Sequence, residues 1–227
     1  MATSGTFDFA PSVGEVVLNA LSRIQIRGPM VKTEMLHMAS QEANLMQVEW
    51  SNRGPNLWTV DFQEVDTIPG YATYPVDPST IAVLEVTIGQ GDVPNQNDIM
   101  LTSISRGTYM AYPNKDSPGR PTCYWYDMLI APTITLWPVP NEVYHLRFSR
   151  YRQQMDATMR AAGNFETPYR WLDAACSGLA ARLATHYSPA LEQTRTAQAE
   201  RAYGYAASRD KENAPIYLSP MIEFYTP

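Results

Sequence analysis

The spacing of apolar residues along the chain changes twice, near residue 57 and near residue 153. Outside these two points, apolar side chains recur every three or four positions, which is the period of a helix with one buried face. Between them, apolar and polar side chains alternate in short runs broken by proline and glycine, as in strands joined by turns. The pattern therefore predicts an α+β fold, in which an antiparallel β-rich insertion interrupts a helical bundle.

Two amphipathic helices are predicted before the β-rich part and two after it. They span residues 12–26, 33–50, 168–187 and 189–210. Ser12 and Glu15 have the spacing of a capping box. Thr33 and Thr167 are expected to cap the second and third helices. The third helix is rich in small residues, mainly alanine, so we expect other helices to approach it closely.

Seven extended runs are predicted in the β-rich part. They cover residues 58–62, 72–76, 80–88, 99–104, 122–127, 133–137 and 144–152. In the first run, Trp58, Val60 and Phe62 alternate with polar residues and are expected to share the buried face. A proline-rich turn follows residue 137, so the last two runs are expected to form a hairpin within an antiparallel sheet or small sandwich.

These patterns divide the chain into three parts. Residues 1–56 and 153–211 form the predicted helical body, residues 57–152 the β-rich insertion, and residues 212–227 an extended C-terminal tail. The tail is too short to fold alone, but it carries large apolar side chains that could anchor it to another surface. These are Ile216, Tyr217, Leu218, Met221, Phe224 and Tyr225.

The charged residues favour a protein that contacts other proteins. The net charge is −6. Among the basic residues, 14 are Arg and only 3 are Lys. Arginine is enriched and lysine depleted at protein interfaces. The predicted fourth helix has one face of mixed polarity, which suits contact with another subunit better than a deep core. Its candidate subunit-interface residues are Arg195, Arg201 and Tyr205.

The sequence contains no motif typical of an enzyme, so we assign no catalytic, metal-binding or cofactor-binding residue. His37, His145 and His186 lie on different predicted elements, and none has a partner at metal-ligand spacing. A Cys123–His145 pair on adjacent strands could be a thiol and its base, but an ordinary cross-strand pair is favoured. Both cysteines are expected to be reduced, and neither a signal peptide nor a transmembrane helix is predicted.

Several short segments together resemble one family. They are Gly54 to Trp58, Gly119 to Tyr124, Leu136 to Pro140, Leu146 to Tyr151 and Phe165 to Leu172. In their order and spacing they resemble the head-to-tail adaptor proteins of tailed bacteriophages, including the tail tubular protein A type.

The resemblance implies a structural protein of the virion that is assembled in the host cytoplasm. It implies a homo-oligomeric ring, commonly a dodecamer, between the portal protein and a downstream tail or nozzle protein. Genomic DNA would pass through the ring without sequence-specific binding, and an acidic body suits this because fixed basic groups would hold phosphate. The tail at residues 212–227 would then dock on the portal.

Four alternatives remain open from the sequence. The chain could be a tail terminator or collar protein, or a wall-degrading hydrolase that uses paired acids. Trp58, Trp125 and Trp137 could form a carbohydrate- or receptor-binding surface, although core positions are favoured for large aromatic residues. Arg147, Arg150 and Arg152, with Tyr144 and Tyr151, could contact nucleic acid.

Overall fold

The computed structural model describes residues 5–6, 8–54, 57–91, 97–158 and 163–210. Within these ranges the chain has an α+β fold, as predicted. The helices are α1 (Val13–Arg23), α2 (Thr33–Arg53), α3 (Arg106–Ala111), α4 (Leu172–Tyr187) and α5 (Glu192–Arg209). The strands are β1 (Val60–Asp66), β2 (Thr73–Pro75), β3 (Thr80–Gln90), β4 (Asn97–Met100), β5 (Thr102–Ser103), β6 (Pro118–Gly119), β7 (Cys123–Asp127), β8 (Thr133–Trp137), β9 (Val139–Pro140) and β10 (His145–Arg152).

The start of α1 confirms the predicted capping box. The Ser12 backbone N–H donates to Glu15 Oε2 at 2.8 Å, and the Glu15 N–H donates to Ser12 Oγ at 3.3 Å. The cap predicted at Thr33 is wrong, because Thr33 is already the first helical residue and Lys32 precedes it without a side-chain cap. The cap predicted at Thr167 is also wrong, because a 3-10 turn over Tyr169–Trp171 lies between it and α4.

Helix α4 is the centre of the helical body. It packs against α1, α2 and α5, and nine of its residues are buried. Gly178 lets α2 approach it: a Cβ atom at this position would lie 2.7 Å from the sulfur of Met46. Helix α5, in contrast, buries only Ala206, so most of its surface faces outward.

The strands form a two-layer sandwich with a core of its own. One sheet has the order β1-β10-β3-β4 and the other β2-β8-β7-β5, and β6 pairs with β9. The buried side chains between the layers are Tyr74, Val76, Val86, Ile88, Leu101, Tyr124, Ile134, Leu136, Tyr144, Leu146 and Phe148. The helical core is a separate cluster of buried residues.

The predicted hairpin between β8 and β10 is wrong. Strand β8 pairs with β7 and β2, whereas β10 lies in the opposite sheet between β1 and β3. The connection is not a simple turn, because it contains β9, which pairs with β6 and carries the chain from one layer to the other. The hairpin that does form joins β7 to β8, in a register from Cys123 opposite Trp137 to Asp127 opposite Thr133.

The predicted buried face of the first strand is also wrong. Trp58 lies in a 3-10 turn before β1, and Phe62 is 84% exposed. Asp61 and Val65 lie opposite the buried Arg150 and Leu146 of β10, so the odd-numbered residues of β1 face the sandwich core. The polar Asp61 occupies this face because Arg150 supplies its ion partner.

Candidate interaction surfaces

One face of the helical body contains an apolar recess between α1, α4 and the segment that precedes α1. The recess has a volume of about 480 Å³. Val16, Leu172 and Cys176 are among its apolar lining residues, and Asp8, Glu15, Asn19, Arg23 and Asp173 are its polar and charged ones. Phe9 forms part of its wall and is 70% exposed; it packs edge-to-face against Tyr169, with 6.5 Å between the ring centroids. Large exposed aromatic rings beside an apolar recess are typical of a site that receives an apolar group from another chain.

A second depression, the basic groove, adjoins the recess. It has a volume of about 220 Å³ and is lined in part by Gln198, Arg201 and Tyr205 of α5. An ion pair separates the two depressions and lines both: Arg23 Nη2 lies 2.8 Å from Asp173 Oδ1. The recess and the basic groove are therefore parts of one continuous face.

The structure brings together two of the three predicted subunit-interface residues. Arg201 and Tyr205 lie one turn apart on the exposed side of α5, and Tyr205 is 70% exposed. Arg195 is half-buried instead: its Nη1 donates to Gln198 Oε1 at 2.7 Å, and its buried Nε has no hydrogen-bond partner within the described ranges. The predicted portal-binding residues, Ile216, Tyr217, Leu218, Met221, Phe224 and Tyr225, lie outside the described residues.

The loop between β7 and β8 presents three consecutive apolar side chains to solvent. Met128 is 69% exposed, Leu129 60% and Ile130 99%; we call these three residues the apolar knob. The loop is held at its base by the β7–β8 ladder and by the Val76 N–H, which donates to the Pro132 carbonyl at 2.9 Å. Sequence reasoning missed the knob, although an uncharged run at a hairpin turn, where polar residues are usual, was a visible signal.

Most arginines of the body and the sandwich are committed to ion pairs within the chain. Arg182 bridges Glu42 and Glu49 at 3.0 and 2.5 Å, and Arg53 joins Glu49 to Glu200, which links α2, α4 and α5. Burial raises the pKa of Glu49, but hydrogen bonds from the two arginines more than offset this and hold its pKa below the ordinary value. This network stabilises the packing of α5, which lines the basic groove together with residues of α1 and α4.

The arginines of β10 are also paired, which weakens the nucleic-acid alternative. Arg150 binds Asp61, and Arg147 lies between Glu64 and Asp98 at 3.1 and 3.2 Å. A guanidinium neutralised by carboxylates has little charge left for phosphate.

The tryptophans of the carbohydrate-binding alternative pack on other rings of the chain. Trp125 stacks on Tyr109 with 5.4 Å between centroids, and Trp137 stacks on Tyr112 at 4.0 Å. Trp58 packs against Trp171 of the helical core at 5.0 Å. The three rings are thus used separately in packing and do not form one platform.

The candidate thiol–base pair of Cys123 and His145 does not form. Cys123 lies in the sheet opposite to that of His145, and its Sγ lies 3.3 Å from the Trp137 carbonyl. His145 Nδ1 lies 2.6 Å from Asp66 Oδ1. Both cysteines are free thiols.

The described part of the chain lacks two further features, a metal-ligand cluster and a membrane-spanning helix. Its His, Cys, Asp and Glu side chains form no group of three or more that could hold a metal ion. None of its helices combines the length and apolar character needed to cross a membrane.

The recess, the basic groove and the knob give the chain the surface of a protein that assembles with other proteins. The model of the SU10 adaptor protein family matches residues 33–220, which is most of the chain. The chain therefore belongs to this family, a family of bacteriophage adaptors, and is a structural protein of adaptor type. No curated protein matches the sequence.

Family membership confirms the phage-adaptor resemblance in its general form. It implies a place in the virion and contacts with other head and tail proteins. The matched region extends from the start of α2 through the knob and α5 into the C-terminal tail. The resemblance to the tail tubular protein A type in particular stays a prediction.

Proposed function

We propose that the chain forms a homo-oligomeric ring, a dodecamer by the resemblance above, that joins the portal protein to the next tail protein. The observation that carries the proposal is the continuous face of recess and basic groove in a member of a phage adaptor family. Apolar recesses, exposed arginine and exposed tyrosine are features of subunit interfaces. In a ring, such a face docks on a different face of the next copy. The same rotation relates each copy to the next, and its repetition closes the assembly.

The proposed ring surrounds the path of the genomic DNA. The net charge of −6 supports this role, because an acidic protein wall repels phosphate and releases DNA readily. The paired arginines of β10 act in the same direction, since their charge is neutralised within the sandwich.

We further propose that residues 212–227 attach the ring to the portal, with the aromatic and aliphatic side chains of this tail as anchors. Deletion of these residues is expected to abolish portal binding while the circular dichroism spectrum and the melting temperature of the chain stay unchanged. Portal binding that survives the deletion would overturn the role of the tail.

The ring itself is tested by light scattering and negative-stain electron microscopy of the purified protein, alone and with the portal protein. A closed ring is expected in at least the second sample, and a monomer in both would overturn the proposal. Arg201→Glu combined with Tyr205→Ala is expected to reduce the assembled fraction at least tenfold without unfolding the monomer. Arg209→Glu makes the same charge reversal at another exposed position of α5, outside the lining of the basic groove, and is the matched control.

A further inference from the structure

We propose that the apolar knob of one subunit docks in the apolar recess of the next, and that Asp127 beside the knob pairs with Arg201 beside the recess. This inference rests on the ring proposed above and names the contact that closes it.

The knob is built to present apolar side chains rather than to bury them. Three consecutive large apolar residues stand at the end of a hairpin whose five-residue ladder holds them in place. In the monomer Ile130 is almost fully in contact with water, with 99% of its surface exposed. A short loop that is held at its base by a strand ladder requires less ordering on binding than a free segment, so more of the apolar contact contributes to affinity.

The recess offers apolar side chains to such a loop, among polar and charged ones. Leu172 and Cys176 of α4 and Val16 of α1 form part of its lining, and the exposed ring of Phe9 stands at its wall. The volume of about 480 Å³ leaves room for bulky aliphatic side chains. An apolar recess of this size is the kind of site in which a small number of anchor side chains carry most of the binding energy.

The two surfaces lie on different parts of the chain. The knob belongs to the β sandwich and the recess to the helical body, so each copy can give a knob to one neighbour and receive one from the other. Such a head-to-tail contact is the type that closes a ring, whereas a contact between identical patches produces a dimer.

A pair of opposite charges accompanies the apolar match. Asp127 directly precedes the knob, and Arg201 lines the groove that adjoins the recess across the Arg23–Asp173 pair. Within the part of the chain that the structure describes, neither Asp127 nor Arg201 has an ion partner. A charge pair beside an apolar anchor fixes the orientation of docking and rejects wrong partners.

Disulfide trapping tests the proposal, because Cys176 lines the recess and 9% of its surface is exposed there. Ile130→Cys is placed in the full chain, which is oxidised under assembly conditions and analysed on a non-reducing gel and by mass spectrometry. We expect a ladder of covalent multimers joined through positions 130 and 176, because every copy carries both partners. Cys176→Ala in the same background should remove the ladder, and Tyr71→Cys, at an exposed site elsewhere on the sandwich, should give none.

The charge pair is tested independently by exchange. Asp127→Arg and Arg201→Asp are each expected to lower the assembled fraction at least tenfold, and the double variant should restore it to within about threefold of the original. This rescue cannot arise from damage to the fold of either single variant.

The outcomes separate this inference from the ring itself. A ring that forms without a 130–176 cross-link, and without rescue in the double variant, overturns the knob contact and leaves the ring standing. A ladder from Tyr217→Cys instead of Ile130→Cys would show that the C-terminal tail occupies the recess, which also overturns the contact. A protein that stays monomeric in light scattering overturns both.

Discussion

Arg150 and Asp61 form a two-point ion pair on the core side of the sandwich. Arg150 Nε lies 2.6 Å from Asp61 Oδ1 and Nη2 lies 3.1 Å from Asp61 Oδ2, with only 7% of the arginine side chain exposed. The same guanidinium donates to Thr80 Oγ1 at 2.8 Å and lies 3.3 Å from Asp77 Oδ1. The pair therefore joins the three neighbouring segments β1, β10 and the start of β3.

Asp61→Asn is expected to lower the free energy of unfolding by about 2 kcal/mol, because it leaves a buried guanidinium with an incomplete set of counter-charges. Urea denaturation at pH 7 measures the change. Asp66→Asn is the matched control: its partner His145 lies on the exposed face of the same strands, and we expect a change within about 0.5 kcal/mol. Equal effects of the two substitutions would contradict the structural role of the buried pair.

The Glu166 carboxylate predicts a loss of stability in acid. Burial raises its pKa, but hydrogen bonds from Arg152 and from the Met155 N–H outweigh burial and hold the pKa below its ordinary value of 4.5. A lowered pKa in the folded state means that the stabilisation is complete above pH 4.5 and is lost as the pH falls through the folded-state value. Glu166→Gln should thus be less stable than the original chain at pH 6. This difference in the free energy of unfolding should shrink as the pH falls below 4.5, the ordinary pKa of a glutamate.

Denaturant titrations at pH 6 and at pH 3.5 give the two differences. Arg152→Gln removes the cation instead of the carboxylate, and we expect it to show the same narrowing with pH. If the difference in the free energy of unfolding between Glu166→Gln and the original chain were the same at both pH values, the observed hydrogen bonds would not depend on the charge of this carboxyl group.

Two glycines on neighbouring helices predict opposite responses to alanine. In α4, Gly178→Ala brings a methyl group to 2.7 Å from the buried sulfur of Met46, and we expect a loss of about 1–2 kcal/mol in spite of better helix propensity. In α5, Gly204→Ala meets no atom within 4 Å and should gain about 0.5–1 kcal/mol. Thermal and urea unfolding measure both.

The steric explanation has its own control. Adding Met46→Ala to Gly178→Ala should cost less than the sum of the two single changes, because the new methyl group partly fills the space that methionine leaves. If the double variant lost as much stability as the two single variants together, contact with Met46 would not be the cause of the destabilisation by Gly178→Ala.

The capping box predicts that Ser12 and Thr33, which lie at the N-termini of α1 and α2, respond differently to alanine although both match a cap pattern in the sequence. Ser12→Ala should destabilise the chain by about 1 kcal/mol, since the hydroxyl accepts the Glu15 N–H. Thr33→Ala should change stability by no more than a few tenths of a kcal/mol, because no side-chain cap precedes α2. A larger loss for Thr33→Ala than for Ser12→Ala would reverse the assignment of caps.

Local patterns predicted the helices and most strands, because helical period, capping and alternation act within a few residues. They did not predict features that depend on residues far away in the sequence. The side of β1 that is buried depends on Arg150, which lies 89 residues away, and so Phe62 was placed on the wrong face. The strand order failed for the same reason, since nothing near β8 indicates that β10 lies in the other layer.

The candidate interaction face was only partly predictable. The polarity of one helix face predicted exposed positions for Arg201 and Tyr205, and both line the basic groove; their role at a subunit interface stays a prediction. The recess was not, because it forms where α1 and α4 meet, and no local pattern reports the gap between two helices. Arg195 looked equivalent to Arg201 in the sequence, and only the packing of α5 separates the half-buried residue from the exposed one.

The chain enters and leaves the sandwich through adjacent strands, since Val60 lies directly opposite Tyr151 in the β1–β10 ladder. An exchange of the residues between these two points therefore leaves the chain path of the helical body unchanged. A phage that exchanged this segment would carry a new sandwich, with a new knob, on an unchanged helical body. Under the contact proposed above, the new knob would still have to fit the recess of the unchanged helical body, so the recess limits which sandwiches can be exchanged.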